Sequence, residues 1–176
     1  MLNIYNSLTR KKEEFIPKNG NNVKMYTCGV TVYDDCHLGH GRSLYIFEVI
    51  RKYLKYKGFN VNFVRNITDV DDKIITKARQ IVQDEEIPLK EAFEKIRKKY
   101  IDSYYEDINL LNVPPADIEP LATKNISEML IYVQKLIDKG FAYESGGNVY
   151  FSVRKFKSYG KLSGKKIDDL LCSVRI

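Results

Sequence analysis

Residue types that could do chemistry are concentrated in residues 26–42, Tyr-Thr-Cys-Gly-Val-Thr-Val-Tyr-Asp-Asp-Cys-His-Leu-Gly-His-Gly-Arg. The chain has two histidines, and both lie here, His37 and His40, around Leu38 and Gly39. Three residues apart, their imidazoles fall on one side of a first helical turn. Ring N–H donors held there can stabilise charge on a phosphate undergoing substitution. Gly39 and Gly41 let a ligand lie against the backbone where a Cβ would obstruct it. The bland alternative is a pair of histidines in a capping turn. The glycines and the strand-to-helix junction favour the functional reading.

A second group stands at 65–73, Arg-Asn-Ile-Thr-Asp-Val-Asp-Asp-Lys. Three carboxylates, Asp69, Asp71 and Asp72, invite a magnesium reading. Helix capping explains them more simply, because Thr68, Asp69 or Asp71 can accept from the free N–H groups of a following helix. Asp72 would then sit favourably in its first turn. Thr68, at a strand tip, is the better candidate for touching a substrate.

These groups need elements to position them. Val23, Met25 and Tyr26 predict a strand leading to Cys28 and Gly29, and Leu44, Phe47, Ile50, Arg51 and Leu54 follow a 3.6 period up to Gly58, a suitable residue just past a helix end. Residues 59–65 alternate as a second strand. Strand, helix and strand within about forty residues open a parallel nucleotide-binding sheet. Ligands of such sheets sit beyond the carboxyl ends of the strands, so Cys28-Gly29 and residues 66–69 should converge on one cleft. The predicted class is α/β: an incomplete Rossmann-like parallel sheet with a helical and β-hairpin insertion. Residues 1–110 are read as the sheet-bearing part and 111–176 as the start of the insertion.

Elsewhere, residues 2–6 predict a short strand, 10–14 a charged loop and 17–22 a turn. Pro88 suits a first helical position, and Leu89, Ala92, Phe93, Ile96, Tyr100, Ile101 and Tyr104 predict a long amphipathic helix. Residues 111–115 read as a connector, 126–137 as a helix ended by Gly140, and 141–153 as a hairpin around Ser145-Gly146-Gly147-Asn148. Lysines and glycines dominate a loop at 155–166. Residues 167–176 stop inside an apolar segment, so the chain looks unfinished.

At 176 residues and 44% hydrophobic content, the chain can bury a core. No apolar run is long enough to cross a bilayer, and the first residues lack a signal-peptide core. A cytoplasmic protein without membrane partners is expected, with a monomer favoured. Three cysteines fit neither a disulfide framework nor a self-contained zinc motif. A net charge of +6 permits a polyanionic partner such as RNA and gives it weak support.

Taken together, Met25-Tyr26-Thr27-Cys28-Gly29-Val30-Thr31-Val32-Tyr33-Asp34, His37-Leu38-Gly39-His40-Gly41-Arg42, the run Arg65-Asn66-Ile67-Thr68-Asp69-Val70-Asp71-Asp72-Lys73 and the opening Leu8-Thr9-Arg10-Lys11-Lys12-Glu13 resemble the amino-terminal part of the cysteinyl-tRNA synthetases, class I aminoacyl-tRNA synthetases. The resemblance covers essentially the whole chain. It implies that His37, Leu38, Gly39 and His40 form the ATP-binding signature, with His37 and His40 catalytic. It places Gly29 and Thr68 at the cysteine substrate and makes Cys28 one ligand of a catalytic Zn2+. ATP with Mg2+, L-cysteine and tRNA(Cys) are the implied substrates and partners.

Zinc would explain selection of cysteine over serine. A soft metal takes a deprotonated sulfur and competes poorly for a hydroxyl. Cys36 and Cys172 are read as packing and non-functional residues. A zinc site takes about four ligands, and this sequence offers one plausible cysteine. The chain alone is therefore expected neither to charge tRNA nor to hold zinc tightly. Two further readings stay open: a cysteine ligase that acts on a small amine, and a non-catalytic synthetase-like module that binds nucleotide or tRNA.

Overall fold

Val23 and Thr27 point inward along β3 (Asn22–Thr27), and Phe63 and Arg65 do so along β4 (Asn60–Arg65). The two strands pair in parallel, Asn22 against Asn60 through Thr27 against Arg65. Between them runs α1 (Leu38–Tyr56), which buries Leu44, Glu48, Arg51 and Leu54. It ends at Lys57, before Gly58 at φ +87°, the left-handed conformation that glycine adopts without strain. The predicted parallel βαβ unit is present. A computed structural model describes residues 1–168, so Cys172 and most of the apolar tail lie outside the described residues. The chain divides into Pro17–Ile126 and a second unit made of Met1–Ile16 with the chain from Ser127 onward.

Within Pro17–Ile126, α2 (Asp72–Glu85) and α3 (Leu89–Leu110) pack Ile74, Ala78, Ala92, Ile96, Tyr100, Tyr104 and Ile108 into one core with Val30, Val32, Leu44, Ile67 and Val113. Pro88 is the N-cap of α3, with φ −60° and an extended ψ of 143°; it is not the first helical residue. Proline fixes φ and leaves ψ free to turn the chain into the helix.

Sequence periodicity gave no sign of one sheet component. Residues 117–122 run alongside β4 in parallel, with bridges Val64 to Ile118 and Ile67 to Leu121. The backbone donors of Arg65 and Ile67 reach the carbonyls of Ile118 (3.1 Å) and Pro120 (2.9 Å). Buried charge fastens this segment. The Arg65 guanidinium, 1% exposed, meets Glu119 at 2.8 Å, and Asp117 accepts from Arg51 (2.8 Å) and from the Phe63 N–H (2.7 Å).

In the other unit, β1 (Asn3–Asn6) pairs antiparallel with β2 (Lys11–Glu14). The expected loop over 10–14 is therefore largely a strand. The Asn6 carboxamide donates to Glu13 across the pair at 2.9 Å, an interaction that alternation of apolar residues does not reveal. Helix α4 (Ile126–Asp138) is followed by Gly140 at φ +71° and by β5 (Ala142–Ser145) and β6 (Asn148–Phe151). Gly146 and Gly147 both have positive φ, as a two-residue hairpin turn requires. No described helix is long and apolar enough to cross a membrane.

Candidate amino-acid and nucleotide site

Beyond Thr27 and Arg65 the two parallel strands stay together. The Thr68 N–H donates to the Val30 carbonyl at 3.0 Å, and the Val32 N–H donates to that of Thr68 at 3.1 Å. Gly29 is forced by this approach: a Cβ there would lie 1.6 Å from the Asn66 carbonyl oxygen. Its N–H donates to Asn66 Oδ1 at 3.1 Å, which also accepts from the Tyr26 hydroxyl at 2.9 Å. Asn66 Nδ2 in turn donates to Thr68 Oγ1 at 3.1 Å. Gly29 and Thr68, singled out from sequence, thus meet through Asn66. That residue lay in the quoted run but received no role there; its position at a strand tip, two residues before Thr68, was the available signal.

Cys28 is exposed and carries a free thiol. It stands beside the Tyr26 hydroxyl, whose pKa is pushed up by partial burial and then by the neighbouring sulfur. Cys36 is half-buried and packs against the core. Burial first, and Asp107 and Asp35 next, push its thiol up to about 11, as suits a structural cysteine.

The histidines do two things at once. His37 is the N-cap of α1; its Nδ1 accepts from the Gly39 N–H at 3.1 Å, while His40 Nδ1 accepts from the His37 N–H at 3.3 Å. The rings stack with centroids 3.8 Å apart and planes 15° from parallel. A neutral imidazole that accepts at Nδ1 carries its proton on Nε2. Capping therefore sets both tautomers and leaves an Nε2–H donor on each ring. His40 is held below the ordinary histidine pKa of 6.5, chiefly by burial and then by His37, which favours the neutral donor. Capping and phosphate recognition are compatible uses of this pair.

A cavity of about 470 Å³ opens beside them, lined by His37 and Leu38 with Leu44, Tyr45, Leu110 and Leu111 among others. Its walls are mainly apolar. Cys28, Gly29, His40 and Thr68 do not line it, so it adjoins His37 and does not reach the strand tips.

The carboxylates divide by role. Asp71 is the N-cap of α2 and accepts from the Lys73 N–H at 2.9 Å, with Asp72 in the first turn. Asp69 is fully buried and accepts from the Arg97 guanidinium at 2.6 Å, from the Thr123 hydroxyl at 2.6 Å and from the Thr123 N–H at 2.9 Å. Burial raises its pKa, but the bonds from Thr123 and Arg97 outweigh it and hold the group below the ordinary carboxylate value. Among the described residues, no group of three or more His, Cys, Asp or Glu side chains could hold a metal ion. Cys28 offers a single sulfur donor toward a zinc site of about four; the described residues alone do not make that site.

Lys73 and Lys77 crowd the loop before α1. Lys73 Nζ sits 4.4 Å from the Tyr33 ring centroid, and Lys77 pairs with Asp34 at 3.3 Å and reaches the Tyr100 hydroxyl at 3.2 Å. These contacts anchor residues 33 and 34 to α2 and α3, so they help fix the loop that delivers His37.

A parallel α/β sheet with a glycine at one strand tip and a histidine-capped helix beside it has the architecture of a nucleotide-binding catalytic domain. The family of tRNA synthetases class I (C) catalytic domain matches residues 14–175, and the chain belongs to that family. It is 54% identical to a cysteine–tRNA ligase of Persephonella marina over 175 residues, 99% of this chain and 34% of that protein. It is 51% identical to one of Aquifex aeolicus, with the same two coverages. The chain thus spans about a third of the length of these curated relatives. A crystal structure described as an arginyl-tRNA synthetase from Campylobacter jejuni matches with TM-score 0.56 and 14% identity, over 79% of this chain and 39% of that one. This last likeness supports the α/β fold alone.

Proposed function

We propose that this chain forms the amino-terminal part of a cysteine–tRNA ligase, an enzyme that activates cysteine with ATP to cysteinyl-adenylate and passes the acyl group to tRNA(Cys). The observation that carries this is the joining of Gly29, Asn66 and Thr68 at the tips of two parallel strands, in a chain about half identical to proteins of that name. Activation asks the protein to hold a carboxylate in line with an α-phosphorus and to stabilise charge as pyrophosphate leaves. Gly29 and Thr68 are suited to hold the amino acid. The Nε2–H groups of His37 and His40 are suited to the phosphates of ATP, which arrives with Mg2+. Cys28 is suited to be one thiolate ligand of zinc, the soft ion that would select the substrate sulfur. A soluble cytoplasmic monomer is the expected setting.

Replacing the matched third of the Persephonella marina protein with this chain gives the test. A folded graft should retain cysteine-dependent ATP–pyrophosphate exchange and lose at least about a hundredfold in rate when His40 is replaced by Ala. A folded graft with no exchange, or one indifferent to His40→Ala, overturns the assignment.

A further inference from the structure

We infer that the unit formed by Met1–Ile16 and the chain from Ser127 onward carries a binding surface for single-stranded RNA, centred on Arg10, Phe156, Tyr159 and Lys161. The inference rests on the proposed reading of the chain as part of a tRNA-charging enzyme and names where RNA meets it. Charge is spread unevenly over the chain. The described residues of this unit hold eleven Lys and Arg against six Asp and Glu, whereas Pro17–Ile126 holds seventeen against sixteen.

The cations also differ in what they face. In Pro17–Ile126, Arg51, Arg65, Lys77, Lys95, Arg97 and Lys98 each pair with a carboxylate. In the other unit, among the described residues, Arg154 alone does so, with Asp168 at 2.7 Å. Lys155, Lys157, Lys161, Lys165 and Lys166 follow within one loop and have no such partner there. Scattered lysines on a solvated face need no explanation, but a loop of one sign raises a positive potential that attracts a polyanion.

Shape and chemistry narrow the polyanion. A cavity of about 610 Å³ is lined by Ser7, Arg10, Phe156, Tyr159, Lys161 and Ser163 among others. Arg10 has φ +62°, a backbone conformation uncommon for a residue with a side chain. Its Nη2 donates to the Leu162 carbonyl at 3.3 Å, which holds the guanidinium against loop 160–164. That bond uses one of five N–H donors, and the planar fork that remains suits the oxygens of a phosphate. Phe156 and Tyr159 are 44% and 41% exposed. Phe151 braces both rings, with centroids 6.1 and 6.2 Å away. Braced aromatic rings that stay partly open are stacking platforms for unpaired bases. A duplex keeps its bases inside and offers such rings only backbone. A flat layer of lipid headgroups would satisfy the lysines and does not enter a cavity.

The test follows the fluorescence anisotropy of a labelled single-stranded RNA of about eight nucleotides titrated with the full chain. The chain should bind it at least about tenfold more tightly than an RNA duplex of equal length, the scale of stacking one base. Tyr159→Ala should weaken binding about tenfold, and Tyr159→Phe, which keeps the ring, should not. Arg10→Lys keeps the charge, loses the fork and should also weaken it. Lys161→Gln should flatten the slope of log affinity against log salt by about 0.7. Lys90→Gln, an exposed cation of the other unit, should change neither affinity nor slope.

Melting temperatures measured alongside identify a variant that fails to fold, and Lys161→Gln, at an exposed position, carries the test if Tyr159→Ala does. Absence of binding at low salt, binding indifferent to Tyr159→Ala and Lys161→Gln, a duplex bound as tightly as the single strand, or phosphatidylserine vesicles bound in preference to RNA each overturns the inference. ATP–pyrophosphate exchange in the graft needs no RNA, so the assignment of activity stands or falls separately.

Discussion

Asp69 shows how a residue type can mislead and its partners correct it. A carboxylate at a strand tip beside two more invites a metal reading and is more simply read as a helix cap, yet Asp69 is fully buried and accepts from Arg97 and Thr123. Buried ion pairs contribute modest net stability, but removing one partner strands the other. Arg97→Met should therefore cost about 3–5 kcal/mol at neutral pH. The sign of the pH dependence follows from the depressed pKa of Asp69. In the unaltered chain its contribution is present above the unfolded carboxylate value near 3.8 and is lost as pH falls through the lower folded value. In Arg97→Met, acid neutralises a stranded charge, so the stability gap between the two chains should narrow on going from pH 7 to pH 3. Urea denaturation at both pH values checks this, and a gap that stays constant would show that Arg97 does not act through its charge.

At the scale of elements, α1 depends on its first turn. The N-cap is a histidine whose backbone N–H is itself capped by a second histidine, so the helix start inherits the titration of imidazole. His40 has a folded pKa below 6.5. The unfolded chain consequently binds more protons between those values, and stability rises with pH across that window. Above about pH 6.5 the cap is intact. As pH falls toward the lower folded value, a proton on His40 Nδ1 replaces the lone pair that accepts from His37, and the first turn should fray. Protection factors at residues 39–41, the intrinsic exchange rate divided by the observed one at each pH, should fall on going from pH 7 to pH 5, and His40→Ala should remove that fall.

The same turn shows what was legible in advance. Periodicity, Gly58 and the parallel βαβ spacing announced β3, α1 and β4, because one buried face leaves a repeat in the sequence. The segment 117–122 left none, since it is held by backbone bonds to β4 and by Asp117 and Glu119, which pair with Arg51 and Arg65 across more than fifty residues of chain. Gly29, His37, His40 and Thr68 stood out through residue type. Asn66 did not, because its bonds to Tyr26, Gly29 and Thr68 form only once the two strand tips are brought together.

For the whole molecule, the question is how much of a catalytic centre these residues can assemble. Structural and catalytic zinc sites draw about four donors, with thiolate, imidazole and carboxylate as the protein ligands. Here the imidazoles are engaged at Nδ1 in capping α1, Cys36 packs against the core with its thiol pushed up to about 11, and Asp69 is consumed by Arg97. Among the described residues Cys28 remains, exposed and without a cluster of further donors. One thiolate without chelating partners competes poorly with water and with buffer ligands, because the affinity of a zinc site comes from several donors fixed together. The purified chain should accordingly keep far less than one zinc per molecule after dialysis against a chelator. A modest excess of zinc should leave its melting temperature unchanged, since an ion that binds the folded state tightly would raise it by mass action. Cys28→Ser should alter neither result. Zinc retained at one per chain and lost in Cys28→Ser would instead mean that further donors gather around this sulfur, and the strand tip would then be a complete metal centre in its own right.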